Sequence, residues 1–265
     1  MKAAWLTDIH LNFLKQKQLD AFLKALSGVL ADCFFISGDI AEADSVVKYL
    51  KRMSAALKRP IYFVLGNHDY YGSSIAAVRA RISDQTQKQS GLIWLNKVDY
   101  ISLTQETALV GHDSWADGRL GDFGWSSVDL NDFRCIDELR LWDRVECLKA
   151  MQELANEAAE HLKRVLPMAL KEHRHVIVLN HVPPFKEACW HQGQLSGDDW
   201  LPFFSCKAVG DVLQDTMERY PDAAMTVLCG HTHSTGECQI LPNLKVITGS
   251  AEYGAIQVQQ IIEIE

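Results

Sequence analysis

No apolar run in the sequence approaches the roughly 20 residues that span a bilayer, which sets aside a membrane-spanning reading. Positive charge is also scarce. Twenty-six Lys plus Arg stand against 34 Asp plus Glu, a formal charge of −8. A protein that grips nucleic acid through its phosphates is ordinarily basic, so that partner is disfavoured. Neither a G-x-S-x-G elbow nor a G-x-x-x-x-G-K-[ST] loop occurs, which leaves serine-hydrolase and P-loop readings without support. The seven cysteines are odd in number and contain no C-x-x-C pair. That excludes a zinc ribbon and a disulfide framework and suits a reducing compartment. No leader-like apolar region precedes Asp8 and His10, and the chain reads as cytoplasmic.

The 265 residues, 48% hydrophobic, fit one α/β domain over residues 1–265 with a sizeable core. Short β-branched or aromatic runs alternate with amphipathic segments. Ala3–Leu6, Cys33–Ser37, Ile61–Leu65, Ala108–Gly111, Val176–Asn180 and Met225–Cys229 read as buried strands. Leu19, Phe22, Leu23, Leu26 and Leu30 share one helical face, and Val46, Val47, Leu50, Met53 and Leu57 another. Strand alternating with helix predicts right-handed crossovers and a largely parallel sheet. Gln239–Ile240, Lys245–Thr248 and Ile256–Ile264 read as antiparallel strands. Asp113–Asp137 has no period and reads as a long loop. Glu138–Lys171 reads as a long helix interrupted at Pro167. Together these form a loop and helix cap insertion around 113–171.

The strands end in polar residues. Ala3–Leu6 leads to Asp8-x-His10, Cys33–Ser37 to Gly38-Asp39, and Ile61–Leu65 to Gly66-Asn67-His68-Asp69. Val176–Asn180 leads to His181, and Met225–Cys229 to Gly230-His231-Thr232-His233. The C-terminal edge of an open α/β sheet is where ligands bind, and strand tips hold side chains rigidly. Carboxylates, imidazoles and one amide match the donor set for a pair of divalent metals. Two such cations about 3.5–4 Å apart need a bridging anion, which one carboxylate such as Asp39 supplies.

This ordered series resembles the calcineurin-like metallophosphoesterases, and the resemblance runs from Asp8 to His233. It implies a four-layer α/β/β/α sandwich with a dinuclear metal site at the C-terminal strand edge. It also implies one metal on Asp8, His10, Asp39 and His233, and a second on Asp39, Asn67, His181 and His231. His68 would be a substrate-facing histidine that binds no metal. The implied cofactors are two divalent or trivalent ions. Imidazole-rich ligands favour Mn, Fe, Zn or Ni over Mg or Ca. Such ions lower the pKa of water from about 15.7 towards 7, so a hydroxide held between them would attack phosphorus while His68 protonates the leaving oxygen.

An imidazole in that role usually leans on a carboxylate. The related protein phosphatases place an Asp three positions past the bridging one. Here that position is Glu42, with Asp69 and Asp44 as rival orienters, and Ala43 stands where those phosphatases have arginine. The expected activity is therefore metal-dependent hydrolysis of small phosphate esters, with diesters ahead of monoesters. A metal-dependent nuclease of the same fold and a non-catalytic scaffold are the rival readings. His112-Asp113-Ser114-Trp115 reads as a packed turn or a substrate wall. His173 and His175 read as solvated, His161 and His191 have no evident partners, and Cys229 reads as core. Trp190, Trp200 and Phe203–Phe204 read as packing or as an apolar wall.

Overall fold

The fold comes from a computed structural model and is described for residues 1–141 and 143–265. The first sheet contains β1 (Lys2–Leu6), β2 (Cys33–Ser37), β3 (Ile61–Val64) and β4 (Leu92–Trp94), all parallel. The second contains β5 (Ile101–Ser102), β6 (Thr107–His112) and β7 (His175–Asn180). After a small hairpin of β8 (Trp190–His191) and β9 (Gln194–Leu195) it continues with β10 (Ala224–Cys229), β11 (Gly236–Leu241) and β12 (Leu244–Thr248). The chain then returns to the first sheet, where β13 (Gln260–Glu263) pairs antiparallel with β1. The strand orders are β13-β1-β2-β3-β4 and β11-β12-β10-β7-β6-β5.

The alternation of side chains along the strands creates the layers. Ala3, Trp5, Cys33, Phe35 and Val64 of the first sheet meet Leu109, Ile177, Leu179 and Leu228 of the second in one buried cluster. Their neighbours Ala4, Leu6, Phe34 and Ile36 face the other way, towards α1 (Gln16–Ser27) and α2 (Val46–Leu57). The helices that follow are α3 (Ile75–Lys88), α4 (Asp132–Cys135), α5 (Arg144–Leu170), α6 (Leu201–Phe204) and α7 (Lys207–Arg219). The α5 helix packs on β6 and α7, outside the second sheet. Because both faces of each sheet are covered, the strands are continuous apolar runs. The architecture is the expected α/β/β/α sandwich.

Trp5 sits in the inter-sheet layer, 1% exposed, and its indole Nε1–H donates to Ser37 Oγ at 2.9 Å. Trp5→Ala is expected to cost about 3–5 kcal/mol, since it opens a cavity and strands the buried serine hydroxyl. Chemical denaturation of the two proteins checks this.

The structure corrects four sequence readings. The α5 helix starts at Arg144, where the Asp143 carboxylate accepts from the Val145 and Glu146 amides, rather than at Glu138. It also runs through Pro167 without interruption. The proline lies in the last turn, and burial of Val165, Leu166, Ala169 and Leu170 outweighs a penalty of about 3 kcal/mol. His173 is buried, not solvated, and its Nδ1 lies 3.1 Å from the Ala169 carbonyl at the helix end, which also accepts the His173 amide. Segment 113–137 is not wholly irregular, as it contains α4. Among the described residues, no helix is long and apolar enough to cross a membrane.

Candidate metal centre

The loops beyond β1, β2, β3, β7 and β10 converge at one edge of the sandwich. Asp8 N donates to the Gly38 carbonyl at 3.1 Å, and His10 N donates to the Asp39 carbonyl at 3.0 Å, so the first two loops are stitched together. Five of the seven sequence-predicted ligands have left-handed backbone. Their φ values are 47° at Asp8, 38° at His10, 52° at Asp39, 72° at His231 and 60° at His233. Such conformations cost about 1–3 kcal/mol each and concentrate at functional sites. Gly38, at φ 99°, permits a close approach, because a Cβ there would overlap the His181 ring.

One ligand atom from each of Asp8, His10, Asp39 and His233 lies within 4.8 Å of all the others. His10 Nε2 is 3.3 Å from His233 Nε2 and 3.7 Å from Asp39 Oδ2, and His233 Nε2 is 3.5 Å from Asp8 Oδ1. The carboxylates are held from behind. Asp8 accepts from Thr7 Oγ1 at 2.6 Å and from the His231 amide at 3.0 and 3.2 Å, and Asp39 Oδ1 accepts from the His68 amide at 2.9 Å.

The second group shows a more diagnostic pattern. His181 Nδ1 is 2.8 Å from the Ser37 carbonyl, which can only accept, so the proton is on Nδ1 and Nε2 presents a lone pair. His231 Nε2 is likewise 2.8 Å from the Phe203 carbonyl, which leaves a lone pair on Nδ1. Both lone pairs point at Asn67 Oδ1, each at 3.0 Å. The amide cannot be turned to donate, because Asn67 Nδ2 donates to Asp132 Oδ1 at 2.8 Å. Asp39 Oδ1 adds a further acceptor 3.5 Å from His181 Nε2. Three electron-pair donors, His181 Nε2, His231 Nδ1 and Asn67 Oδ1, thus face one another with no proton between them. This arrangement is repulsive alone and becomes favourable around a cation. The residues fit a bound metal at both positions, with Asp39 common to the two.

Electrostatics agree with that fit. Burial pushes the Asp39 carboxyl well above its ordinary value, and Asp8 adds to the push. Burial would also raise Asp8, but His233, His181 and His10 together outweigh it and hold that group low. Burial brings His10 and His231 down to about 4, so both imidazoles are neutral at physiological pH and free to offer a lone pair.

His68 lies beside this cluster, edge-on to His10 at 4.7 Å between ring centroids and stacked on Tyr71 at 4.2 Å. Its Nδ1 is buried with no partner among the described residues. None of the rival carboxylates orients it. Glu42 and Asp44 form no bond to the ring. Asp69 accepts from the amides of Ile40, Ala41 and Gly66 at 2.8–2.9 Å, which locks together the loops that carry Asp39 and Asn67. Burial, followed by His10 and His233, brings His68 down to about 2.

Sequence reasoning missed three side chains at this edge. Asp132 fixes the Asn67 amide. Tyr71 donates to Asp132 at 2.5 Å and supports the His68 ring. Tyr253 lies with its ring 4.7 Å from His10 and 5.3 Å from His233. Only the Tyr253-Gly254 turn left a signal, and that signal concerned chain reversal. Phe204 stacks on Trp200 and meets the His231 ring edge-on.

Solved structures show the same fold. The phosphopantetheinyl hydrolase from Mycobacterium tuberculosis superposes with a TM-score of 0.69 at 14% identity, covering 96% of this chain and 90% of that one. A dimetal phosphatase from Danio rerio superposes with a TM-score of 0.57 at 14% identity, covering 94% and 87%. Comparison with curated proteins finds no match. The model of the calcineurin-like phosphoesterase family matches residues 1–235, which include every strand-tip residue described above. The chain belongs to the calcineurin-like phosphoesterase family.

Proposed function

We propose that this phosphoesterase is a dinuclear enzyme acting on small phosphodiesters. In this reading Asp8, His10, Asp39 and His233 hold one ion, and Asp39, Asn67, His181 and His231 hold the other. The carrying observation is the proton-free convergence of His181, His231 and Asn67, with an Asp39 oxygen 3.5 Å from His181. When bound, the ions supply Lewis acidity that activates water and offsets phosphoryl charge. Imidazole donors favour Mn, Fe, Zn or Ni.

The chain's own residues do the rest. Asp8 and Asp39 bring negative charge into a buried edge and place the cations. His68 presents a ring N–H to the leaving oxygen, and Tyr71 holds the ring in position by stacking. We also read residues 1–265 as one domain whose 113–171 insertion caps the site. The loop part does this by delivering Asp132 to Asn67. The net charge of −8 favours a small substrate over a nucleic acid.

The test is hydrolysis of bis(p-nitrophenyl) phosphate by protein reconstituted with Mn, read beside metal content per chain. Turnover that rises towards two metals per chain is expected. Protein carrying two metals with no turnover on mono- or diesters would favour a scaffold. Asp132→Ala is expected to release the Asn67 amide and weaken the second metal by about 10–100-fold. Metal titration followed by calorimetry reads this directly.

A further inference from the structure

A cavity of about 410 Å³ lies between α3, α5 and the turn after β4, and no candidate metal ligand lines it. Its polar lining is one-sided. His112 is 3% exposed, and its Nδ1 accepts from the Ser114 amide at 3.1 Å, so the ring proton is on Nε2. His161 Nδ1 is 3.4 Å from Arg164 Nη2, which can only donate, so His161 also carries its proton on Nε2. That Nε2 is buried without a partner among the described residues, as is Arg79 Nε. Asn96 spends its Oδ1 on the Asp113 amide at 3.1 Å, which leaves its NH₂ as the free group.

The acidic residues nearby are already engaged. Both Glu157 oxygens lie 2.8 Å from Arg79 Nη1, and Glu160 is 3.7 Å from Lys163. Asp113 Oδ2 is 4.0 Å from Arg79 Nε, beyond hydrogen-bond reach. Lys97 stands at the rim, its ammonium 5.7 Å over the Trp94 ring, with no ion pair among the described residues. Burial pushes both histidines below their ordinary values, which keeps each neutral with a single N–H. The buried side-chain groups here without a partner among the described residues, His161 Nε2 and Arg79 Nε, are therefore both donors.

We propose that this cavity is a second ligand site that binds a phosphate-type oxyanion through His112, His161, Arg79 and Asn96, with Lys97 supplying charge. The donors come from four separate elements that line one cavity. This suits a tetrahedral oxyanion better than a flat carboxylate, which pairs best with a single planar fork. The site also adjoins the metal edge. Asp113, whose amide Asn96 holds, accepts the Leu65 amide at 2.7 Å on its side chain and the His181 amide at 3.4 Å on its carbonyl.

Two measurements on metal-loaded protein test this. Crystals soaked in selenate are expected to show an anomalous peak among Lys97, His112 and His161, separate from any peak at the metals. Calorimetry with inorganic phosphate is expected to show a binding event that Lys97→Glu weakens about tenfold or more, with bis(p-nitrophenyl) phosphate turnover unchanged. Arg164→Glu, also an exposed position, is expected to behave in the same way. A cavity without selenate, or binding that is indifferent to both substitutions, would overturn the proposal. A crystal peak with no matching event in solution would mark an adventitious ion only and overturn it as well. Succinate taking the site ahead of phosphate would refute the tetrahedral assignment.

Discussion

Asp39→Asn is expected to lower phosphoesterase activity by about a thousandfold or more and to lower metal content with it. Asp39 has an oxygen towards each group of candidate ligands, Oδ2 at 3.7 Å from His10 Nε2 and Oδ1 at 3.5 Å from His181 Nε2. Asparagine keeps the size and the acceptor from the His68 amide but removes the charge that both cations share. The same substitution is expected to act in the opposite direction on the metal-free protein. Burial raises the Asp39 carboxyl, and a group raised in the folded state gives its full stability below its unfolded value. That stability is lost as pH rises through the folded value. Chelated wild-type protein should therefore lose stability with rising pH above the ordinary carboxylate value of about 4. Chelated Asp39→Asn lacks this source of loss, so its melting temperature at neutral pH should equal or exceed that of chelated wild type. Metal analysis and thermal melts, with and without chelator, read both effects. A variant that binds two metals as tightly as wild type would remove Asp39 from its shared position.

The same burial explains what the sequence revealed. Cys33–Ser37 and Val176–Asn180 could be recognised as strands because both sheet faces are covered, which makes the runs largely apolar. The strand-tip residues were legible because each follows such a run within a few positions. Asp132 was not, because it reaches Asn67 across 65 residues from a four-residue helix in a segment with no period. Tyr71 follows a recognisable motif, but its stacking on His68 depends on how the chain turns after Asp69. Pro167 was misread for the opposite reason. The local propensity was read correctly, but the packing of α5 on β6 and α7 outweighs it. Local sequence thus located the candidate ligands, while groups that hold them in orientation, such as Asp132, come from elements far away in the chain.

His68→Ala is expected to retain metal and to slow hydrolysis in proportion to the basicity of the leaving group. With no carboxylate behind it and burial bringing its pKa to about 2, the His68 imidazole is neutral throughout the physiological range. A neutral ring N–H is a weak acid. It stabilises a departing oxygen by hydrogen bonding and gives up its proton only to a strongly basic alkoxide. Nitrophenolate leaves as a stable anion and gains little, so bis(p-nitrophenyl) phosphate turnover should fall by less than about tenfold. Alkyl esters should lose about 10²–10⁴-fold, the span associated with positioned proton transfer. The pH profile of kcat/KM should correspondingly show no inflection near 6.5 that disappears in the variant, because a histidine held neutral does not titrate there. Tyr71→Ala, which removes the stacking but leaves the imidazole, is expected to reproduce the same dependence on leaving group in weaker form. Equal slowing of nitrophenyl and alkyl esters would place His68 on the phosphoryl oxygens instead, where the charge it meets does not depend on the group that leaves.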